Sequence, residues 1–288
     1  MSAEETAMAE AAAQDGRDRT GPLKVAIGGY GAIGRRVAQA LDRGIPGLEL
    51  AAVSARDPAA ARQRMAGELS RPRPVLPLGA LARQADIVVE CCPAAEFRSL
   101  AEPAIAAGRT LVVISSGALY ANFDLVERAR QTGARIVLPS GALLGLDAVR
   151  AAAEGEVHHV RMVTRKPPRG LVGAPHVAQS GLDLEALTEP LLLFRGSAAE
   201  AISGFPANLN VAVSLGLAGI GPERTELEIW ASPEVTRNTH EIHVSSDSAE
   251  LTLKIENVPS PENPKTGLIT PLSVIAALRR LSAPLAVG

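Results

Sequence analysis

Apolar residues fall into five short runs in the first half of the chain, and alanine-rich stretches separate them. The runs hold Val, Ile and Leu with little polar relief, which is typical of parallel strands buried on both faces. Strands are predicted at 23–27, 48–57, 85–93, 110–119 and 134–143, and helices after residue 34 and at 58–68, 94–107 and 122–132. Strands that alternate with helices in this way predict an α/β fold with a doubly wound parallel sheet and ligands at its carboxyl ends.

The pattern changes in the second half, where apolar and polar residues alternate. Leu251, Leu253 and Ile255 alternate with polar residues, as in a half-buried strand. Further strands are predicted at 156–167, 225–233 and 239–247, helices near 179–202 and 207–217, and an amphipathic helix at 271–281. We therefore expect a second α+β domain of mixed or antiparallel sheet, and a last helix that packs back on the first domain.

These patterns divide the chain into three parts. Residues 1–22 form a tail that we expect to be disordered or loosely helical, and its acidic residues do not suit a signal peptide. Residues 23–138 together with 264–288 are predicted to form the first domain, and residues 139–263 the second domain.

A glycine-rich turn follows the first predicted strand. Gly29, Gly31 and Gly34 have the spacing G-x-G-x-x-G, with Ala32 and Ile33 between the last two. Between a strand and a helix, this spacing is typical of a Rossmann-type dinucleotide site, in which the pyrophosphate lies at the helix N-terminus. A tight structural turn is the alternative.

The end of the second strand bears on the choice between NAD and NADP. An Asp or Glu at this point usually binds the ribose of NAD, but the chain has Ser54 and then Arg56, whose side chain suits a 2′-phosphate. Asp57 stands before a proline and is expected to begin the next turn. Both cofactors stay open, and Arg56 as a solvated loop charge is the alternative to a cofactor contact.

Composition and charge exclude several classes of function. The formal net charge is −2, which argues against nucleic acid as a partner. No apolar run approaches the roughly 20 residues of a membrane span, and adjacent Cys91 and Cys92 favour a reducing cytoplasm over a disulfide framework. The spacing of histidines and cysteines does not predict a metal site.

Five ordered blocks resemble the L-aspartate dehydrogenase family, from about residue 24 to 281. They are GGYGAIG, PSGALLGLDA, FPANLNVAVSLGLAG, RNTHEIHV and NPKTGLITPLSVIAALRR. The resemblance, which extends to homoserine dehydrogenase, implies NAD(P)-dependent oxidation of L-aspartate to iminoaspartate, which gives oxaloacetate and ammonia or enters NAD biosynthesis. It also implies His240 as the active-site histidine, and cofactor contacts at Ala142 and at Asn208 or Asn210, of which Asn210 is favoured. We expect residues 23–138 with 264–288 to bind the dinucleotide, and residues 139–263 to bind the substrate, catalyse the reaction and form a homodimer.

The implied reaction needs proton transfers and partners for two carboxylates. A histidine that titrates near neutrality suits both the loss of the ammonium proton and the addition of water to the imine. Candidate carboxylate partners are Lys166, Arg165, Arg237, Lys265 and Thr266. His243, three residues beyond His240, is expected on the opposite face of the strand.

Other interpretations of these residues stay open. His240 is equally a strand-edge histidine without function, Asn208 a helix cap, and Lys265 with Thr266 a link between the domains. For the whole chain, the alternatives are a dehydrogenase for another small amino or imino acid, or a nucleotide-binding sensor without turnover.

Overall fold

Two five-stranded sheets, one from each half of the chain, form the framework of the protein. The structure is a computed structural model and describes residues 21–206, 209–262 and 266–287. Nearly all of the predicted N-terminal tail, and also Asn208 and Lys265, lie outside the described residues. No helix in these ranges has the length and apolar character needed to cross a membrane.

The first sheet is wholly parallel, as the sequence predicts, with the strand order β2-β1-β3-β4-β5. Its strands are β1 (Leu23–Gly28), β2 (Leu48–Ser54), β3 (Ile87–Glu90), β4 (Thr110–Val113) and β5 (Arg135–Val137). The order reverses at β1, because β2 lies on one side of it and β3 on the other. This switch point leaves a crevice at the carboxyl ends of the strands, where dinucleotides bind in such sheets.

Helices cover both faces of the first sheet. They are α1 (Ala32–Asp42), α2 (Pro58–Glu68), α3 (Phe97–Ala106), α4 (Ser116–Ala121) and α5 (Asp124–Thr132). Alternate residues of β1 serve the two faces: Ile27 belongs to the same apolar cluster as Val37 of α1, whereas Ala26 belongs to the cluster of Phe97. The predicted doubly wound sheet is therefore confirmed, although the predicted fourth strand ends at Val113 and its last residues lie in α4.

The second sheet has the order β10-β9-β6-β8-β7, with one parallel pair, β6 and β8. Its elements are α6 (Leu146–Ala152), β6 (Val157–Lys166), α7 (Pro175–Ser180), β7 (Leu191–Ser197), α8 (Ala201–Gly204), α9 (Asn210–Ala218), β8 (Thr225–Ala231), β9 (Asn238–Ser246) and β10 (Glu250–Asn257). Met162 of β6 and Ile242 of β9 share an apolar cluster with Val213 of α9, so this helix covers one face of the sheet. The predicted second domain of mixed sheet is confirmed.

The prediction of a helix near 179–202 is wrong. This stretch contains the end of α7, the strand β7 and the first residues of α8. Pro190 precedes the strand, and a short apolar run fits a buried strand as well as a helix. Leu191 pairs with Ala231 of β8, so tertiary pairing decides the outcome.

The last helix, α10 (Ile269–Ser282), lies against the first sheet's cluster. Val274 and Leu278 are fully buried there with Val37 and Leu41 of α1. The chain therefore returns to the first sheet after it has built the second one. The boundaries at residues 138 and 264 stay a prediction.

The three glycines of the turn differ in the space around them. A Cβ on Gly34 would overlap the carbonyl oxygen of Gly29, and Gly29 itself has φ +118° beside the backbone of Cys91. A Cβ on Gly31 would meet nothing within 4 Å. Gly29 and Gly34 are thus needed by the fold, whereas Gly31 leaves an open approach to the N-terminus of α1.

We predict that Gly34→Val lowers stability, whereas Gly31→Val impairs binding of the cofactor. Gly34→Val should lower the free energy of unfolding by about 1–3 kcal/mol or more, because it overpacks backbone against backbone. Gly31→Val should keep the wild-type melting temperature and lose NADH binding, because its side chain occupies the place expected for the pyrophosphate. Thermal melts and fluorescence titration with NADH measure both; unchanged NADH affinity in Gly31→Val would contradict this position for the pyrophosphate.

Candidate active site

A cavity of about 150 Å³ lies between the carboxyl ends of the first sheet and one end of the second. Ile33 from the glycine-rich turn, Ile114 after β4 and Pro139 after β5 form the first side. The second side and the following segment contribute Lys166, Asn210, His240, Asn257 and Thr266. The cavity suits a small molecule, since it is below the range of about 300–1,000 Å³ for drug-sized ligands.

His240 lies on the inward face of β9 and is only 3% exposed. Its Nδ1 is 3.1 Å from Oγ1 of Thr164, the residue that it faces on β6. Burial, with a contribution from the charge of Lys166, lowers the pKa of His240 from 6.5 to about 3. The imidazole is therefore neutral at physiological pH, which differs from the near-neutral titration expected from the sequence.

Lys166 is the last residue of β6 and is 6% exposed. It lies two residues after Thr164 and therefore on the same face of the strand. Burial lowers the pKa of Lys166 to about 8. Lys166 and His240 are the two titratable groups among the described lining residues, and no carboxylate is among them. This set of groups favours an anionic ligand.

The two predicted cofactor contacts in this region, Ala142 and Asn210, both line the cavity. Asn210 begins α9, and its Oδ1 accepts a hydrogen bond of 3.2 Å from the backbone N–H of Gly117. The carbonyl of Ala142 accepts a hydrogen bond of 3.1 Å from Nδ2 of Asn257. These contacts join loops of the first sheet to the second sheet at the cavity.

The glycine-rich turn fits a dinucleotide pyrophosphate. Gly31 is the N-cap of α1, no side chain caps this helix, and its first turn has no acidic residue. Its first N–H groups and the positive end of its dipole are thus available to a phosphate. Ala32 and Ile33 form the first residues of the helix, and Ile33 reaches the cavity.

The end of β2 lacks an acidic group for the ribose. Ser54 is buried there beside Gly28 of β1, and the Asp57 side chain caps α2 by accepting a hydrogen bond of 3.0 Å from Ala60 N–H. Arg56 is exposed, and no described residue forms an ion pair or hydrogen bond with it. This end of the strand therefore offers a cation and a hydroxyl.

Two of the predicted carboxylate partners lie away from the cavity. Arg165 projects from the opposite face of β6, with its guanidinium 5.3 Å from the centre of the Trp230 ring. Arg237 is exposed and does not line the cavity. His243 lies on the outward face of β9, where its Nε2 is 2.8 Å from Oε1 of Glu241.

Sequence reasoning missed Asn257 and Asn238 as lining residues. The signal for Asn257 lies in the strand pattern, because it follows Leu251, Leu253 and Ile255 at the same spacing of two. A polar residue at an inward position of a strand end indicates a site. The described residues contain no group of three His, Cys, Asp or Glu side chains suited to a metal ion.

Comparison with known proteins identifies two families along the chain. The family described as "Aspartate dehydrogenase, C-terminal" matches residues 147–281, and "Homoserine dehydrogenase, NAD binding domain" matches residues 29–139. L-aspartate dehydrogenase from Bradyrhizobium diazoefficiens is 57% identical over 92% of this chain and 94% of its own length. L-aspartate dehydrogenase 3 from Bordetella bronchiseptica is 55% identical over 92% and 97%.

A solved structure agrees with these relatives. The chain is similar to aspartate dehydrogenase from Thermotoga maritima, with a TM-score of 0.68 and 25% identity over 92% of this chain and 99% of that one. The similarity thus covers both sheets as well as the sequence blocks. The chain belongs to the aspartate dehydrogenase family.

Proposed function

We propose that this chain oxidises L-aspartate with NAD⁺ or NADP⁺ to iminoaspartate, which gives oxaloacetate and ammonia. The observation that carries the proposal is the buried pair Lys166 and His240, in a cavity that the glycine-rich turn also reaches. An amino acid with two carboxylates supplies the negative charge that the described lining residues lack. The family relationship gives the same substrate.

The chain's own residues hold the cofactor at two places. The turn of Gly29, Gly31 and Gly34 receives the pyrophosphate, while Ala142 and Asn210 contact the end of the cofactor that enters the cavity. When bound, NAD(P)⁺ accepts the hydride from Cα of the substrate. Either cofactor fits the turn, and the end of β2 decides between them.

Lys166 binds the substrate, whereas His240 exchanges protons with it. The Lys166 ammonium binds a substrate carboxylate, with Thr266 nearby. Thr164 holds Nδ1 of His240, so that Nε2 is left to exchange protons with the substrate and with water. A substrate carboxylate beside the imidazole raises its pKa from the low value set by burial and Lys166, which strengthens it as a base.

We further propose that the protein is a cytoplasmic homodimer that pairs through the second sheet. The face of this sheet opposite α9 presents charges of both signs, among them Arg161, Glu241 and Lys254. Such a face suits a second copy of itself, because each sign finds its opposite in a twofold arrangement.

The first test concerns His240. We expect the purified protein to reduce NAD⁺ or NADP⁺ with L-aspartate and to act weakly on other amino acids, as followed by absorbance of the reduced nicotinamide. His240→Ala should lower turnover by about 10²–10⁴-fold, the usual contribution of an acid–base group, with NADH affinity near wild type. His243→Ala is the matched control on the outer face and should retain activity; near-normal turnover in His240→Ala would refute this role.

The second test is the pH dependence of substrate binding. The pKa of about 8 keeps Lys166 charged at neutral pH and lets it lose its charge at higher pH, so KM for L-aspartate should rise as the pH increases beyond that range. Among the described lining residues, the other titratable group is His240, which stays neutral there. Lys166→Met should raise KM roughly tenfold or more at pH 7, because a charged hydrogen bond is lost.

Two further variants separate charge from structure. Lys166→Arg should keep a low KM at high pH, since a guanidinium does not lose its proton. Lys24→Met, at the exposed start of β1, should leave KM unchanged. A KM of Lys166→Met equal to that of the wild type would show that another group binds the carboxylate.

The third test concerns the choice of cofactor. If Arg56 pairs with the 2′-phosphate, Arg56→Ala should weaken NADPH binding roughly tenfold or more and leave NADH binding nearly unchanged. Fluorescence titration with both reduced cofactors measures this directly. Equal losses for the two cofactors would assign Arg56 a structural role.

A further inference from the structure

The side-chain amide of Asn257 forms a hydrogen bond through its nitrogen, whereas its oxygen has no hydrogen-bond partner among the described residues. The side chain lies at the end of β10 and is 5% exposed. Its Nδ2 donates to the Ala142 carbonyl at 3.1 Å, which fixes the orientation of the amide. Its Oδ1 is buried and has no hydrogen-bond partner among the described residues. A buried acceptor without a partner is costly, and native proteins rarely keep one without a reason.

The side chain with this unpartnered oxygen belongs to a residue that lines the active-site cavity. Asn257 lines the cavity, as does Gly267. A Cβ on Gly267 would lie 3.3 Å from Oδ1, so the absence of a side chain at Gly267 leaves the space next to this oxygen free of a further contact. In the β9–β10 pairing, Ile255 faces His240 and Asn257 faces Asn238. Asn257 is therefore the diagonal neighbour of His240 on the same face, about 7–8 Å away between Cα atoms.

We propose that Oδ1 of Asn257 accepts a hydrogen bond from the α-amino nitrogen of the substrate and selects amino acids over hydroxy acids. This inference rests on the proposed function. An amide oxygen only accepts, so its partner must carry a hydrogen. In aspartate the two carboxylates have none, and the ammonium group is the donor. The substrate is thus oriented with its amino group towards Asn257 and a carboxylate towards Lys166.

The same contact becomes stronger in the hydride-transfer step, in which a neutral amine becomes a charged iminium. The ammonium group first gives one proton to His240, and its freed electron pair then forms the C=N bond while hydride leaves Cα for the cofactor. The products are iminoaspartate with a positively charged NH₂ group, one reduced cofactor and one proton on His240. Positive charge develops on the nitrogen that faces Oδ1, and a fixed acceptor in a buried site stabilises it.

A hydroxy acid lacks this advantage. Its hydroxyl group donates to Oδ1 before reaction, but the carbonyl oxygen that forms carries only lone pairs. Two acceptor oxygens would then face each other in a buried site, which is unfavourable. The contact therefore favours C–N over C–O oxidation in the transition state.

The test compares two dicarboxylates that differ in the amino group, L-aspartate and succinate. Asn257→Leu has a similar shape and removes the acceptor. We expect its kcat/KM for L-aspartate to fall tenfold or more, whereas the inhibition constant of succinate should change less than about twofold. Asn257→Asp keeps an acceptor and should retain the preference for aspartate over succinate. Gln131→Leu, which removes an exposed amide on α5, should behave as wild type.

Two outcomes would overturn the inference. Equal weakening of aspartate and succinate in Asn257→Leu, together with weaker NADH binding by fluorescence titration, would show that Asn257 acts only through Ala142. An unchanged kcat/KM for aspartate would show that it does not meet the amino group. If the wild type oxidises no aspartate, the proposed function fails separately, and the variants are compared by binding titrations of the NADH complex with both ligands.

Discussion

The register of β9 between β6 and β10 is the constraint on which the site depends. His240 faces Thr164 on one side and Ile255 on the other, so the inward faces of three strands are fixed together. Side chains alternate with a period of two, and a slip of one residue would turn His240 outwards. Because β6 and β10 end where the antiparallel β9 begins, Lys166, His240 and Asn257 lie at the same end of the sheet without any long loop to place them.

A second set of contacts brings this edge to the first sheet. The Glu90 carboxylate at the end of β3 is fully buried and accepts hydrogen bonds from the N–H groups of Ile114 and Ser115 at 3.1 and 2.9 Å. The loop that it holds continues to Ser116, whose Oγ donates to the Asn210 carbonyl at 2.5 Å. Burial raises the pKa of Glu90, and the hydrogen bonds that its carboxylate accepts from Ser115 and Ile114 oppose this rise. The buried carboxylate thus anchors a loop that carries one cavity wall and one end of the interdomain contact.

Much of this arrangement can be predicted from local sequence. The glycine spacing between a strand and a helix predicts the turn. Asp57 before a proline predicts the start of a further turn, and in the structure its side chain caps α2. Period-two alternation predicts four strands of the second sheet. It fails for β7, because a short apolar run after Pro190 has no periodicity that separates strand from helix.

The site chemistry depends on contacts that local patterns do not contain. Lys166 and Arg165 are adjacent and both basic. Only the orientation of β6 determines that Lys166 lines the cavity, whereas Arg165 lies over Trp230 on the opposite face. The pKa of His240 depends on a lysine from another strand and on burial. Asn257 was detectable from its place in the alternation of β10, but its unpartnered oxygen follows from the Ala142 contact, which is distant in sequence.

The charges of the site explain why the protonation of Lys166 and His240 depends on the bound substrate. Burial disfavours the charged forms of Lys166 and His240, and each charge disfavours the other. A carboxylate that enters the cavity relieves both effects, since it favours the protonated lysine and makes the imidazole a stronger base. In the proposed reaction, the arrival of substrate therefore prepares His240 as the proton acceptor, and an amino acid with a second carboxylate does so more fully than one with an apolar side chain. Under this proposal, selection for the acidic side chain and activation of His240 are consequences of one electrostatic arrangement.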